Sequence, residues 1–256
     1  MYQIKAYIKF LSKATNQHGV HSPFVYNFVT KCLYDKTDYE AYTKLKHYKK
    51  ELLNSRTTLQ IIDLGEGSKT LDANHRHVSK MVKASSSSKK DAQLLYRLSK
   101  YFGFKNSLEL GTSLGMGTYA IAIATPTSKI ITIEGCPNTS ALAKSKLENN
   151  NITNVEFLVG NFLDTIPNLK EENYDFIFFD GHHNKEATIK YFEALLPKAH
   201  NDSVFVFDDI YWSKGMTEAW EYIKNHDAVT VTVDGFNLGF VFFRREQVKE
   251  HFKIRM

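Results

Sequence analysis

Five residues that can carry charge or move a proton follow apolar runs in the second half of the chain: Asp180, His182, His183, Asp208 and Asp209. The runs 174–180 and 203–208 read as β-strands, so all five sit at strand ends. In an open α/β sheet ligands gather beyond the carboxyl ends of the parallel strands. The same rim then collects Gly111, Glu134 and Gly160-Asn161-Phe162 from the earlier strands. Three carboxylates brought together repel, and loss of water raises their pKa values unless a cation offsets them. A hard cation such as Mg2+ takes oxygen ligands and keeps some of its own waters. It also lowers the pKa of a substrate hydroxyl that it holds. The expectation is therefore a divalent cation on Asp180, Asp208 and Asp209. Asp208 as a cap for the helix beginning near Lys214 or as a partner of loop amides, and the two histidines as exposed loop residues, remain open alternatives. The histidines lack the i, i+4 spacing of a helical zinc site.

A second constellation precedes this one. Ser107 to Leu110 read as the end of a strand, and Gly111-Thr112-Ser113-Leu114-Gly115-Met116-Gly117 follows as a turn into a helix. Gly111 suits a tight turn, and Gly115 and Gly117 would let the backbone approach a ligand with no Cβ between. The next apolar run ends in Glu134, whose carboxylate can accept hydrogen bonds from both hydroxyls of a ribose. A nucleotide-like ligand follows. The spacing is not the G-x-G-x-x-G of dinucleotide folds, and no Lys-Ser/Thr pair makes it a P-loop. Packing glycines in an ordinary strand–turn–helix remain the plain alternative.

Glu109-x-Gly111-x-x-x-Gly115 resembles the first motif of class I methyltransferases, which use S-adenosylmethionine (SAM). The resemblance implies that the glycine turn runs under the methionine part of SAM and that Glu134 holds the ribose. The implied cofactor contacts are Glu109, Gly111, Thr112, Ser113, Gly115, Glu134, Gly135 and Asp180, with Asn161 and Phe162 meeting the adenine. Phe179-Asp180-Gly181-His182 together with Phe207-Asp208-Asp209 resembles metal-dependent O-methyltransferases of the catechol and the sugar and macrolide types. That likeness implies Mg2+ on the three acids, with Asp180 and His182 catalytic and His182, two places after Asp180, as general base. It also implies a hydroxyl of a small molecule as acceptor, and Tyr211 and Trp212, with Met216, follow the paired acids and would face it. The likeness spans roughly residues 80–245, a length typical of one domain. No Asn-Pro-Pro-Tyr motif of amino-group methyltransferases follows the fourth strand.

The elements that must position these residues alternate regularly from Asn106 onward. Strand-like runs at 106–111, 129–134, 154–159, 174–180, 203–208, 228–233 and 238–243 are separated by helical runs at 115–125, 137–149, 184–196 and 214–225, with a short turn near 163–170. Alternation of this kind gives a parallel sheet covered by helices on both faces. Asp234-Gly235-Phe236-Asn237 is too short for a crossover, so the last two strands pair antiparallel. The expected fold is α/β and Rossmann-like: a seven-stranded, mostly parallel sheet with a terminal antiparallel hairpin. Upstream, helices are expected at Tyr2–Ala14, at Pro23–Leu33 behind a Ser22 N-cap, at Tyr39–Leu53 and at Asp91–Tyr101. Residues 1–88 read as an N-terminal helical and lid region and 89–256 as the cofactor-binding domain. The Ile61–Gly67 stretch imitates a glycine turn, but no acid-ended strand follows it. Ser85–Ser88 reads as a mobile connector, and with His18–Phe24 it could form a lid.

The 256 residues carry a formal charge of +5. Residues 1–105 hold 19 Lys/Arg against 8 Asp/Glu, so the remainder is acidic. A basic half could dock nucleic acid, which keeps an RNA or protein methyltransferase as an alternative. Lys44, Lys46, Lys49 and Lys50, interleaved with Tyr42, Leu45 and Tyr48, instead read as the outside of an amphipathic helix, so no nucleic-acid partner is expected. A non-catalytic cofactor-binding module is the other alternative, and the acids at 180, 208 and 209 argue against it. Two distant cysteines with no leader-like or membrane-spanning run suggest a cytoplasmic protein. A homodimer is left open.

Overall fold

The computed structural model describes residues 2–61, 75–84 and 89–256. The Gly65-Glu66-Gly67-Ser68 turn and the Ser85–Ser88 connector lie outside the described residues. In chain order the helices are α1 (Tyr2–Leu11), α2 (Pro23–Phe28), α3 (Glu40–Leu53), α4 (Val78–Ala84), α5 (Lys89–Phe102), α6 (Met116–Ala124), α7 (Pro137–Asn149), α8 (Phe162–Thr165), α9 (Lys185–Leu195) and α10 (Lys214–Asn225). The strands are β1 (Thr58–Gln60), β2 (His75–His77), β3 (Asn106–Leu110), β4 (Lys129–Glu134), β5 (Val155–Val159), β6 (Tyr174–Phe179), β7 (Ala199–Phe207), β8 (Val231–Asp234), β9 (Gly239–Phe242) and β10 (Glu250–Lys253). Contacts divide the chain into two compact units, one of Lys36–Thr165 and one of Met1–Asp35 with Ile166–Met256. Residues 1–88, expected as one N-terminal region, are thus shared between them.

In the 36–165 unit β4 pairs in parallel with both β3 and β5. The register sets Leu110 beside Ile133 and Glu134 beside Val159. Two further bonds level the strand ends: Gly111 N–H donates to the Ile133 carbonyl at 2.9 Å and Gly160 N–H to that of Glu134 at 3.0 Å. The strand interior is a β-branched and leucine core: Leu108, Leu110, Ile130, Ile131 and Ile133 are all buried. Helix α6 is buried from Met116 to Ala122, and α3 and α5 pack against it. As the 3.6-residue spacing predicts, α3 buries Leu45, Tyr48 and Leu52 on one face. β1 and β2 form a small antiparallel ladder.

In the other unit β6 and β7 are parallel, while β9 runs antiparallel to both β7 and β8, which makes the expected terminal hairpin. Gly239 is required there: a Cβ would stand 2.6 Å from the Trp220 ring, which packs against this strand. Ser22 caps α2 by accepting from Val25 N–H, with Pro23 in the first turn, as its sequence predicts.

Two features go beyond the sequence reading. β10 is an additional strand, parallel to β8. Its sequence, Glu-His-Phe-Lys, buries Phe252 and exposes Glu250 and His251, too short and polar to signal a strand. The apolar stripe of α1 does not face a core: Ile4 and Ile8 are 66% and 63% exposed. The helix is instead anchored by Phe10 and Tyr7, whose rings lie 5.5 Å and 4.8 Å from that of Phe236.

Candidate active site

The glycine turn is held from beneath and from behind. Beneath it, Glu109 lies in the interior, with Oε2 accepting from Thr118 Oγ1 at 2.5 Å and Thr132 Oγ1 at 2.7 Å. Thr112 Oγ1 joins the same chain at 2.6 Å from Thr132 Oγ1. Burial pushes the Glu109 carboxyl up to about 7 from an ordinary 4.5; the two threonine hydroxyls oppose this and the Glu134 charge adds to it. Glu109, expected among the cofactor contacts, is 1% exposed and braces the turn. Behind the turn, Tyr48 of α3 stacks on Tyr119 at 4.6 Å, and its hydroxyl donates to the Leu114 carbonyl at 2.8 Å. Nothing in the sequence spacing pointed to Tyr48 beyond its place on the buried stripe of α3.

Gly111 and Gly115 both have positive φ, +104° and +76°. The reason for glycine at 115 differs from the expected one. A Cβ there would point into the protein, 2.7 Å from Leu147 Cδ1 and 2.9 Å from Tyr48 Oη. Close packing and the left-handed backbone exclude a side chain at this position.

Glu134 closes the turn at its open end. Ser113 N–H donates to Oε2 at 2.8 Å and Cys136 N–H to Oε1 at 3.0 Å. Each carboxylate oxygen keeps further acceptor capacity. Asn161, exposed, caps α8 through Oδ1, which accepts from Leu163 N–H at 2.9 Å, while the Phe162 ring is buried. Gly135 is half-buried beside Glu134.

In the other unit the acids and histidines follow β6 and β7. His183 Nε2 lies 3.9 Å from Asp180 Oδ1 and 4.0 Å from Asp209 Oδ2. His182 faces elsewhere, with Nδ1 3.0 Å from the Tyr191 hydroxyl. Asp208 is 7% exposed and its Oδ1 accepts from Asp209 N–H at 2.9 Å. Among the described residues no three His, Cys, Asp or Glu side chains are gathered as a metal cage. The three acids expected to converge are thus not assembled: Asp180 and Asp209 turn toward one imidazole, whereas Asp208 is bound to its neighbour's backbone. The sequence places His183 on this rim but assigns it no role, whereas here it is the imidazole that both acids approach.

His182 and Asp209 both adopt left-handed φ, +58° and +53°, as does Ser113 in the glycine turn at +46°. Such backbone costs of order 1–3 kcal/mol in a non-glycine residue and clusters at functional sites. Tyr211, expected toward the acceptor, is turned inward. It is buried, stacks on Phe236 at 4.9 Å, donates to Asp234 Oδ2 at 2.7 Å and accepts from Lys253 Nζ at 2.7 Å. Burial, reinforced by the Asp234 carboxylate, raises its phenol pKa. Trp212 is 38% exposed.

Residues 108–210 match a family described as a methyltransferase domain. A catechol O-methyltransferase of Mycobacterium tuberculosis is 31% identical over 111 residues, 43% of this chain and 50% of that protein. A catechol O-methyltransferase of Niastella koreensis is 31% identical over 132 residues, 50% of this chain and 59% of that protein. The chain thus spans about half the length of the curated relatives it matches. Among solved structures, the SAH-bound methyltransferase PaMTH1 of Podospora anserina superposes with a TM-score of 0.61 at 14% identity, covering 88% of this chain and 97% of its own. The O-methyltransferase TomG of Streptomyces achromogenes, solved with SAM, gives 0.58 at 20% identity over 81% of this chain and 91% of its own. These structural likenesses show the fold, the expected α/β, Rossmann-like and mostly parallel arrangement. No helix among the described residues is long and apolar enough to cross a membrane.

Proposed function

We propose that this chain is an enzyme that transfers a methyl group from SAM to a hydroxyl of a small-molecule acceptor, assisted by Mg2+. The observation that carries the reading is the bond from Ser113 N–H to Glu134, which ties the glycine turn to the acid at the end of the next strand. That arrangement presents a fixed carboxylate to a ribose, and Gly111 to Gly115 and Gly135 supply backbone groups around it. Asn161 and Phe162 flank the adenine. The O-methyltransferase relatives support the choice of chemistry.

SAM supplies an electrophilic methyl group on a sulfonium. What remains for the protein is to align the acceptor and to take its proton. The donor set suits Mg2+, which is satisfied by one or two carboxylates and its own waters; Asp180 and Asp209 are the two that would hold it, with Asp208 fixing Asp209 through its amide. A bound Mg2+ would supply Lewis-acid polarisation of the acceptor oxygen. His182 is the general base: in the tautomer whose Nδ1–H donates to the Tyr191 hydroxyl oxygen, Nε2 is the atom that receives a proton, the geometry of a base oriented by a third group. A second reading makes His183 the base, because it lies about equally far from Asp180 and Asp209. Trp212 offers an exposed ring on which a flat acceptor can stack.

Incubation with isotope-labelled SAM and a set of catechols and sugar alcohols, with and without EDTA, tests the proposal. Label in a methyl ether, lost with EDTA, is the expected result. Full transfer in EDTA removes the metal, and label only on nitrogen or in RNA removes the hydroxyl acceptor.

A further inference from the structure

The 36–165 unit holds a cavity of about 410 Å³ that the methyl-transfer reading does not use. Its apolar walls are Leu45 and Leu53 of α3, Ala92 of α5 and Met116 of α6. The volume falls within the range of small-molecule sites, about 300–1,000 Å³. Its remaining lining is Lys46, Lys49 and Lys50. These occupy i, i+3 and i+4 of one helix and therefore one face. Their methylene stems extend the apolar wall and leave the ammonium groups toward water.

Among the described residues the charge on this face is not compensated. Elsewhere on α3, Lys44 pairs with Glu40 at 3.7 Å and His47 with Glu51 at 3.2 Å. Among the described residues no carboxylate lies within ion-pair distance of Lys46, Lys49 or Lys50. Three like charges on adjacent turns repel, and an anion seated among them relieves that repulsion. The cations are all lysines. Point charges of this kind suit a phosphate, whereas the planar fork that grips a carboxylate in two places belongs to arginine.

We propose that this cavity binds a small amphiphilic phosphate monoester, with its apolar chain between α3, α5 and α6 and its head group on Lys46, Lys49 and Lys50. The site is independent of methyl transfer and is tested without SAM. Calorimetry of the full chain with decyl phosphate, below its micelle concentration, should show one saturable site. Decanol and inorganic phosphate should each bind at least about tenfold more weakly, since each lacks one half of the ligand. Affinity for decyl phosphate should fall with salt, because the lysine heads are at the surface. Lys46→Glu combined with Lys49→Glu and Lys50→Glu should abolish binding. Leu53→Trp, which fills the apolar slot and keeps the charges, should do the same if the triple variant does not fold. The proposal is overturned if decyl phosphate gives no heat, if decanol or decyltrimethylammonium binds as well as it does, or if both variants bind like the natural chain.

Discussion

The glycine turn and the acidic rim are built to different degrees of completeness. Around the turn the carboxylate of Glu134 is fixed by two backbone amides at 2.8 and 3.0 Å, and Tyr48 secures Leu114 from behind. At the rim the corresponding charged contacts, His183 to Asp180 and Asp209, are 3.9 and 4.0 Å long, beyond hydrogen-bonding distance. Under the proposed function, the fixed dipoles and short bonds of the turn would receive a nucleoside, and the loosely associated charges of the rim would be completed by a cation and an acceptor. The two regions should therefore respond to mutation in different observables: affinity for the turn, turnover for the rim.

The largest expected effect lies at the rim. His182→Ala should lower the rate of methyl transfer by roughly 10²–10⁴ if its Nε2 takes the acceptor proton. Steady-state kinetics of His182→Ala beside His183→Ala decide between the two histidines. A loss confined to His183→Ala transfers the role to that residue, and unchanged rates in both leave the rim without a base.

At the turn, Glu134→Ala should weaken binding of S-adenosylhomocysteine by about 1.5–3 kcal/mol, the range for hydrogen bonds to a charged group. Calorimetry reads this directly. An unchanged affinity would mean that Glu134 only orders the loop through Ser113 and Cys136.

The brace beneath the turn makes a pH prediction. Burial raises the Glu109 carboxyl from 4.5 to about 7, so the folded protein holds this proton more tightly than the unfolded chain. Its contribution to stability is fully present below the unfolded value and is lost as pH rises through the folded one. Stability should fall between about pH 4.5 and 7, and Glu109→Gln should flatten that fall. Urea midpoints measured across this window compare the two proteins; parallel curves contradict the assignment.

The smallest effect is expected behind the turn. Tyr48→Phe removes one buried hydrogen bond, and the Leu114 carbonyl loses its partner; this should cost about 0.5–1.5 kcal/mol in stability while the ring stack on Tyr119 survives. Thermal unfolding measures it.

Much of this comparison was legible in the residues. The β/α alternation, the hairpin around Gly235 and the Ser22 cap follow from periodicity and turn chemistry, which act over a few residues. The acids at strand ends were legible because strand ends are where such a sheet presents groups to a ligand. Side-chain direction was not. His182 and His183 are adjacent, yet one faces Tyr191 and the other the acids, a choice set by the left-handed backbone at His182. Tyr211 looked available beside the acids, but Asp234 and Lys253, distant in sequence, draw its hydroxyl inward. Gly115 looked like a gap for a ligand, whereas Leu147 and Tyr48 occupy the space on its Cβ side. β10 escaped because an edge strand with a single buried residue, Phe252, carries almost no periodic signal.

The central claim is that the turn binds the cofactor and the rim performs the reaction. Asp209→Ala measures both on one protein. The account predicts S-adenosylhomocysteine affinity within about twofold of the natural chain, with methyl transfer from SAM reduced at least about a hundredfold. Affinity and turnover falling together, or neither changing, would contradict it.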